Sequence, residues 1–166
     1  MINRYALVDY ILSITFTGNQ ISGISGNTFS IGGPAASTGG GYIGEITLSR
    51  SAEMWKTTGD YTGGYVHTKN LDRTGTVKVT INQLSDDIVR LNTIFNLYEQ
   101  SNTSNDRQLT LSVMNAATGD TVATCTDCRI VKLPDQVFGT DVASQDWEFT
   151  CGIINIEYPV KVAAGE

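Results

Sequence analysis

The sequence predicts a mainly β protein, a sandwich or barrel flanked by one α-helix. Three observations carry that prediction. Apolar residues recur with period two in several separate stretches, the mark of strands with one buried face. The 166 residues are rich in Ser, Thr and Gly (17 Gly) but hold only 3 Pro and 17% charged residues, a turn-rich β composition. Only one stretch has helical period. The length suits a single domain spanning 1–166, large enough to bury a core without staples.

In "VDYILSITF", Val8, Tyr10, Leu12, Ile14 and Phe16 fall on one face of a strand. "TGNQISGISGNTFSIGG" reads as turns around a short second strand, Thr28–Ile31. The run 32–41, "GGPAASTGGG", is a flexible loop by composition. "YIGEITLSRS" resumes as a strand. From 52 to 73 neither period is clean, so this segment is a long loop or an extended hairpin, turning at Gly59-Asp60 or Gly63-Gly64. "GTVKVTIN" alternates, with Val77, Val79 and Ile81 to one side.

The helix is expected at about 85–100. Ser85 is a good N-cap, and Asp86 and Asp87 sit in the first turn, where the helix dipole favours anions. Ile88, Leu91, Ile94, Phe95 and Tyr98 make its apolar stripe. After it, "RQLTLSVMN" is a strand presenting Leu109, Leu111 and Val113, and "TVATCTDCRIVKL" is a strand or a broken strand. "PDQVFGTDVAS" is a structured loop. "QDWEFTCGIINIEY" is the closing strand, with Trp147, Phe149, Cys151 and Ile153 expected on one face.

Few residues recommend themselves for chemistry. Cys125 and Cys128 have C-x-x-C spacing, and the remaining metal-ligating residues of that kind are Cys151 and His67. In a regular strand, residues three apart point to opposite faces and lie about 10 Å apart. Two such thiols share neither a zinc ion nor a disulfide unless the strand breaks at Thr126-Asp127. No helix follows the motif, as a thioredoxin-like site requires. The expectation is therefore reduced, unpaired thiols on opposite faces, with no metal. The glycine run lacks the Lys of a phosphate-binding loop. A Ser-His-Asp triad would have to use His67, the single histidine. No carboxylate pair marks itself as acid and base. No catalytic residue, cofactor or enzymatic activity is expected.

A net charge of −6 gives no basic face for gripping nucleic acid. "MINRYALVDYILSITF" does not read as a signal peptide, and no stretch approaches the roughly 18 apolar residues of a membrane helix. A reducing cytoplasm is the expected place of synthesis, with no membrane insertion.

Four stretches, in their order and spacing, resemble the tail tube proteins of contractile-tailed bacteriophages. They are "ITFTGNQISGISGNTFSIGGPAA", "EITLSRSAEMWKTTGDYTGG", "GTVKVTINQLSDDIVRLNTIF" and "CRIVKLPDQVFGTDVASQDWEFTCG". Together they cover most of the chain. The segment around Gly59-Asp60-Tyr61 and the region after Tyr158 depart from the pattern.

The resemblance implies two packed antiparallel sheets with one flanking helix. It also implies six copies per ring, and rings stacked into a tube that conducts DNA at injection. The implied partners are further copies of this chain, the tail sheath, the baseplate, the tape-measure and tail terminator proteins, and DNA passing without specific binding. The implied place is the virion tail, assembled in the host bacterial cytoplasm.

An acidic chain suits such a conduit, because each basic phosphate contact would add friction; a net acidic bore is expected. Met54, Trp55, Tyr61, Tyr65 and His67 are the expected subunit or ring contacts, since interfaces favour Trp and Tyr. Alternatives are the tube of a tailocin or type VI secretion system and, in a different class, a carbohydrate-binding module using Trp55, Tyr61 and Tyr65 as a sugar platform.

Overall fold

The computed structural model describes residues 9–17, 27–33, 43–100 and 108–157. Val8, the turns at 18–26, the glycine loop from residue 34 and the chain from Tyr158 lie outside them. The elements run β1 (Tyr10–Phe16), β2 (Thr28–Gly32), β3 (Ile43–Arg50), β4 (Trp55–Gly59), β5 (Tyr65–Lys69), β6 (Gly75–Asn82), α1 (Asp86–Gln100), β7 (Leu109–Asn115), β8 (Asp120–Ile130) and β9 (Ser144–Ile156).

Seven strands form one antiparallel sheet in the order β2-β1-β7-β8-β9-β6-β3, and β4 and β5 form a separate hairpin. The large sheet curls so that its opposite edges approach. Gly32, at the end of edge strand β2, sits so close to Ile43 of edge strand β3 that an added Cβ would lie 2.6 Å from the Ile43 Cδ1. A positive φ of 81° at Gly32 adds a second reason for glycine there. The layers of this β fold are thus the two halves of one continuous sheet.

Strand alternation fills the space between those halves. Leu12, Ile14 and Phe16 of β1, Val77, Val79 and Ile81 of β6, Leu109 and Leu111 of β7, and Trp147 and Phe149 of β9 are all buried in one cluster. Each such side chain contributes roughly 1.5–3 kcal/mol when taken out of water. Helix α1 adds Leu91 and Ile94 to the cluster, with Ile88, Phe95 and Tyr98 packed partly against it. Its start is capped as the sequence predicts. The Asp87 amide donates to Ser85 Oγ at 3.2 Å, and the buried Asp87 carboxylate accepts from Arg90 at 2.7 Å.

Strands β8 and β9 depart from simple alternation at one shared place. Asp127 has a left-handed φ of 52°, and two residues of β8 are spent against one of β7 between the Leu111–Cys125 and Leu109–Cys128 pairs. This is the signature of a β-bulge. The register with β9 runs on, and β9 changes phase opposite the bulge: Cys151 and Ile154 are buried, whereas Ile153 is exposed.

Two expectations are corrected by this. Ile154, not Ile153, continues the buried face after Cys151. Cys125 and Cys128 face the same way, into the core, because the extra residue at Asp127 cancels the alternation that would have separated them.

Candidate assembly surfaces

The segment 52–73 takes the hairpin form. Its turn is built by Asp60, whose Oδ1 accepts from the Thr62 amide (2.8 Å), the Thr62 hydroxyl (2.6 Å) and the Gly64 amide (2.9 Å). Gly63 supplies the positive φ of 88° that the turn requires. These bonds hold the Asp60 carboxyl below its ordinary range, the Thr62 hydroxyl foremost and the Gly64 and Thr62 amides next. Asp72, at the base of the hairpin, is lowered likewise by the amide and hydroxyl of Thr74.

Pairing fixes which side chains share a face. Trp55 lies opposite Lys69, Thr57 opposite His67 and Gly59 opposite Tyr65. With period two, Trp55, Thr57, Tyr65, His67 and Lys69 all project from one face. The Lys69 ammonium sits 5.8 Å from the Trp55 ring centroid, the Tyr65 and His67 rings are 5.2 Å apart, and Thr57 Oγ1 is 2.8 Å from His67 Nδ1. Tyr61 caps the turn, fully exposed. Met54 precedes β4, and its carbonyl accepts from the Asn70 amide at 2.7 Å. Three of the five expected contact residues, Trp55, Tyr65 and His67, thus form one strip. Tyr61 stands at the tip and Met54 at the base. Every residue of β4 and β5 is exposed.

A second surface is the polar face that strand alternation leaves opposite the apolar stripes. Opposite the core, the large sheet presents a lawn of hydroxyls. Ser13 pairs with Ser30 at 3.4 Å and Thr15 with Thr28 at 3.2 Å across β1–β2. Ser112 lies opposite Thr124 across β7–β8. Charges gather towards β8, β9, β6 and β3. Lys78 lies opposite Glu148, Thr80 donates to Asp146 at 2.7 Å, and Arg129 is 3.7 Å from Asp127. Acidic Glu45, Asp127, Asp146 and Glu148 share this side with basic Lys78 and Arg129, and Lys132 and Asp135 line one groove with Lys78, Asp146 and Glu148. The alternation was legible in the sequence, but the order of strands that joins these faces was not.

The loop 131–143 leaves apolar side chains in solvent, Phe138 at 88% exposure and Val137 and Val142 about half exposed. Aperiodic loops give no sequence signal for this.

The three thiols lie together in the core, all free. Cys128 is the strand partner of Cys151, and their sulfurs are 2.7 Å apart. Hydrogen bonding to Cys125 and burial push Cys151 up to about 12. Cys128 is raised too, through Cys125 first, then Cys151 and burial. Cys125, bonded by Cys128 and then Cys151, is the sulfur on which a thiolate is best stabilised. Among the described residues, no group of three or more His, Cys, Asp or Glu is placed to hold a metal ion, and no helix is long and apolar enough to cross a membrane.

Comparisons with known proteins bear on what these surfaces serve. A search of curated proteins finds no match. Among solved structures, the chain is similar to one from the baseplate of the anti-feeding prophage, six-fold symmetrised (TM-score 0.57, 10% identity, 95% of this chain and 97% of that one). It is similar to the sheath/tube terminator of an extracellular contractile injection system, PVC, in the extended state (TM-score 0.55, 10% identity, 94% and 98%). A third is the sheath-tube complex of that system (TM-score 0.50, 10% identity, 93% and 91%). At these identities the likeness is one of fold. The sequence itself is matched over residues 5–158 by the family described as the bacteriophage PhiTE tail tube protein. With nearly its whole length matched, and with a curled β sheet, one helix and an exposed aromatic hairpin, this chain belongs to the phage tail tube protein family.

Proposed function

We propose that copies of this chain assemble six to a ring, and ring on ring, into the inner tube of a contractile tail, the conduit for DNA at injection. The observation that carries this reading is the hairpin β4–β5. It holds Trp55, Tyr65 and His67 on one exposed face and Tyr61 at its tip, with Trp55 still 53% exposed. So much aromatic surface in solvent is costly in a monomer and characteristic of an interface. A neighbouring copy, in the same ring or the next, is its occupant.

The edges of the large sheet serve lateral contact. Strands β2 and β3 have no further strand partner among the described residues, and pairing through a ring would leave no open edge. The hydroxyl-rich outer face then lines the bore. Its carboxylates Glu45, Asp127, Asp146 and Glu148 disfavour DNA phosphates, since it is contacts from Lys and Arg that supply sequence-independent affinity. The sheath, baseplate, tape-measure and terminator proteins are the partners of such a tube, and the host cytoplasm is where it is built.

A second reading has one observation in its favour: the solved structures of similar fold come from contractile injection systems. A tailocin or type VI tube would be built in the same way and carry other cargo. A sugar-binding role for the hairpin face is excluded as the main one if the chain polymerises through it.

Negative-stain microscopy of the purified full chain, alone and with baseplate added to nucleate, tests the assembly. Tubes or stacked rings are the expected outcome. Monomers under both conditions, or rings whose hairpins face solvent, overturn it. Ejection assays with DNA-filled particles separate the two cargo readings.

A further inference from the structure

The buried thiols are unused by any of the surfaces above, and their arrangement has chemistry of its own. The Val131 amide donates to the Glu148 carbonyl at 3.0 Å, and the β8–β9 register runs unbroken from there back to Cys128–Cys151. Hydrogen-bonded and non-hydrogen-bonded pairs alternate along an antiparallel ladder. Three steps from a hydrogen-bonded pair, Cys128 and Cys151 form a non-hydrogen-bonded one, where side chains approach closest. A pair of that kind brings its Cα atoms to about 4.5 Å, inside the range a disulfide spans. Cys125 has a different strand partner, Ile154, and stands on the same strand as Cys128.

We propose that Cys128 and Cys151 are an oxidisable pair that closes into a cross-strand disulfide within the folded protomer, leaving Cys125 a free thiol. The oxidant is a peroxide, small enough to reach a core site. One thiol is oxidised by the peroxide to a sulfenic acid with release of water. The second thiol then displaces hydroxide from that sulfur, and its proton leaves with the hydroxide as a second water. The two thiols give two electrons, which reduce one peroxide to two waters.

Both sulfurs are essentially buried, so the rate follows local opening of β8 and β9. In reducing surroundings the pair stays open. Outside them the bond ties together the ends of residues 129–150, including the loop 131–143, and stiffens the subunit wall after folding is complete.

The test is disulfide mapping of the purified full chain. The protein is treated with hydrogen peroxide, denatured, alkylated and cut with an Asp-specific protease. Cleavage before Asp127 puts Cys125 and Cys128 on separate peptides. The expected result is peptide 127–134 joined to the peptide beginning at Asp146, with Cys125 alkylated. The melting temperature should rise by about 5–10 °C, and the rise should vanish with a reductant. Cys125→Ser should keep the cross-link and Cys151→Ser abolish it; if either variant fails to fold, the wild-type map decides alone. A bond to Cys125, a bond between copies, or three alkylated thiols after β8 amides have exchanged with solvent would overturn the proposal.

Discussion

Gly75 of β6 and Ile154 of β9 fit together so closely that no side chain can be added to Gly75: a Cβ there would run into the Ile154 Cδ1 and the carbonyl oxygen of Ser49. The contact lies beside the shared phase change in β8 and β9. Ile154 points inward because β9 changes phase after Cys151, and Gly75 makes the space for it. Ile154 is further held by its backbone, its amide donating to the Arg73 carbonyl at 3.0 Å and its carbonyl accepting from Arg50 at 2.9 Å.

Gly75→Ala should therefore destabilise the protomer by about 1–3 kcal/mol, the range for overpacking a well-filled core. Ile154→Ala alone should cost about 2–5 kcal/mol, as for any buried Ile, and the double variant should lose less than the sum of the two single losses, because the new methyl group then occupies part of the space left by Ile154. Denaturant titration checks both. Equal stability of Gly75→Ala and wild type would show that the fit is looser than described.

The hairpin prediction separates assembly from folding. Trp55→Ala with Tyr61→Ala should abolish or sharply reduce polymerisation while leaving the melting temperature of the unassembled protomer nearly unchanged, since both side chains are exposed. Sedimentation and negative-stain images are the readouts. Tubes of normal length from the double variant would remove the hairpin from the interface.

The Asp60 turn has a defined pH response. Its folded pKa lies below the ordinary 3.8 because the charged carboxylate accepts three hydrogen bonds. The stabilisation is present above the unfolded value and is lost as pH falls through the folded one. The amide resonances of Thr62 and Gly64 should hold steady from neutral pH to about pH 4 and shift only at lower pH. Thr74, bonded to Asp72, should behave the same way. Titration of any of these amides near neutrality would contradict the assigned bonds.

Reversing charge on the outer sheet face probes the bore. Asp146→Lys with Glu148→Lys changes the face by four charges and leaves the core residues Trp147 and Phe149 in place. Assembled tubes carrying both changes should retain DNA more strongly at low salt than at high salt, as counterion release dictates, and particles should eject more slowly. Ejection unchanged at every ionic strength would place this face away from the lumen.

Much of the fold was legible in the sequence because burial of one strand face imposes period two and burial of one helix face imposes the helical stripe. Leu12, Ile14 and Phe16, Val77, Val79 and Ile81, the helix at 86–100 and its Ser85 cap all follow from local pattern. So did the tail tube resemblance, since it rests on the order of such segments. The aromatic content of 52–73 was also readable; its common face was not, because that depends on Trp55 pairing with Lys69, and pairing register is set by the Asp60 turn.

Tertiary structure alone decided the rest. It joined seven strands into one curled sheet, which laid the Ser, Thr and acidic residues of distant segments side by side. It also overruled strict alternation at Asp127, where a single left-handed residue brings Cys125 and Cys128 onto one face and sets Cys128 against Cys151. Sequence fixes the period of a strand, but a bulge arises from its fit to its neighbours, and one extra residue reverses the facing of everything beyond it.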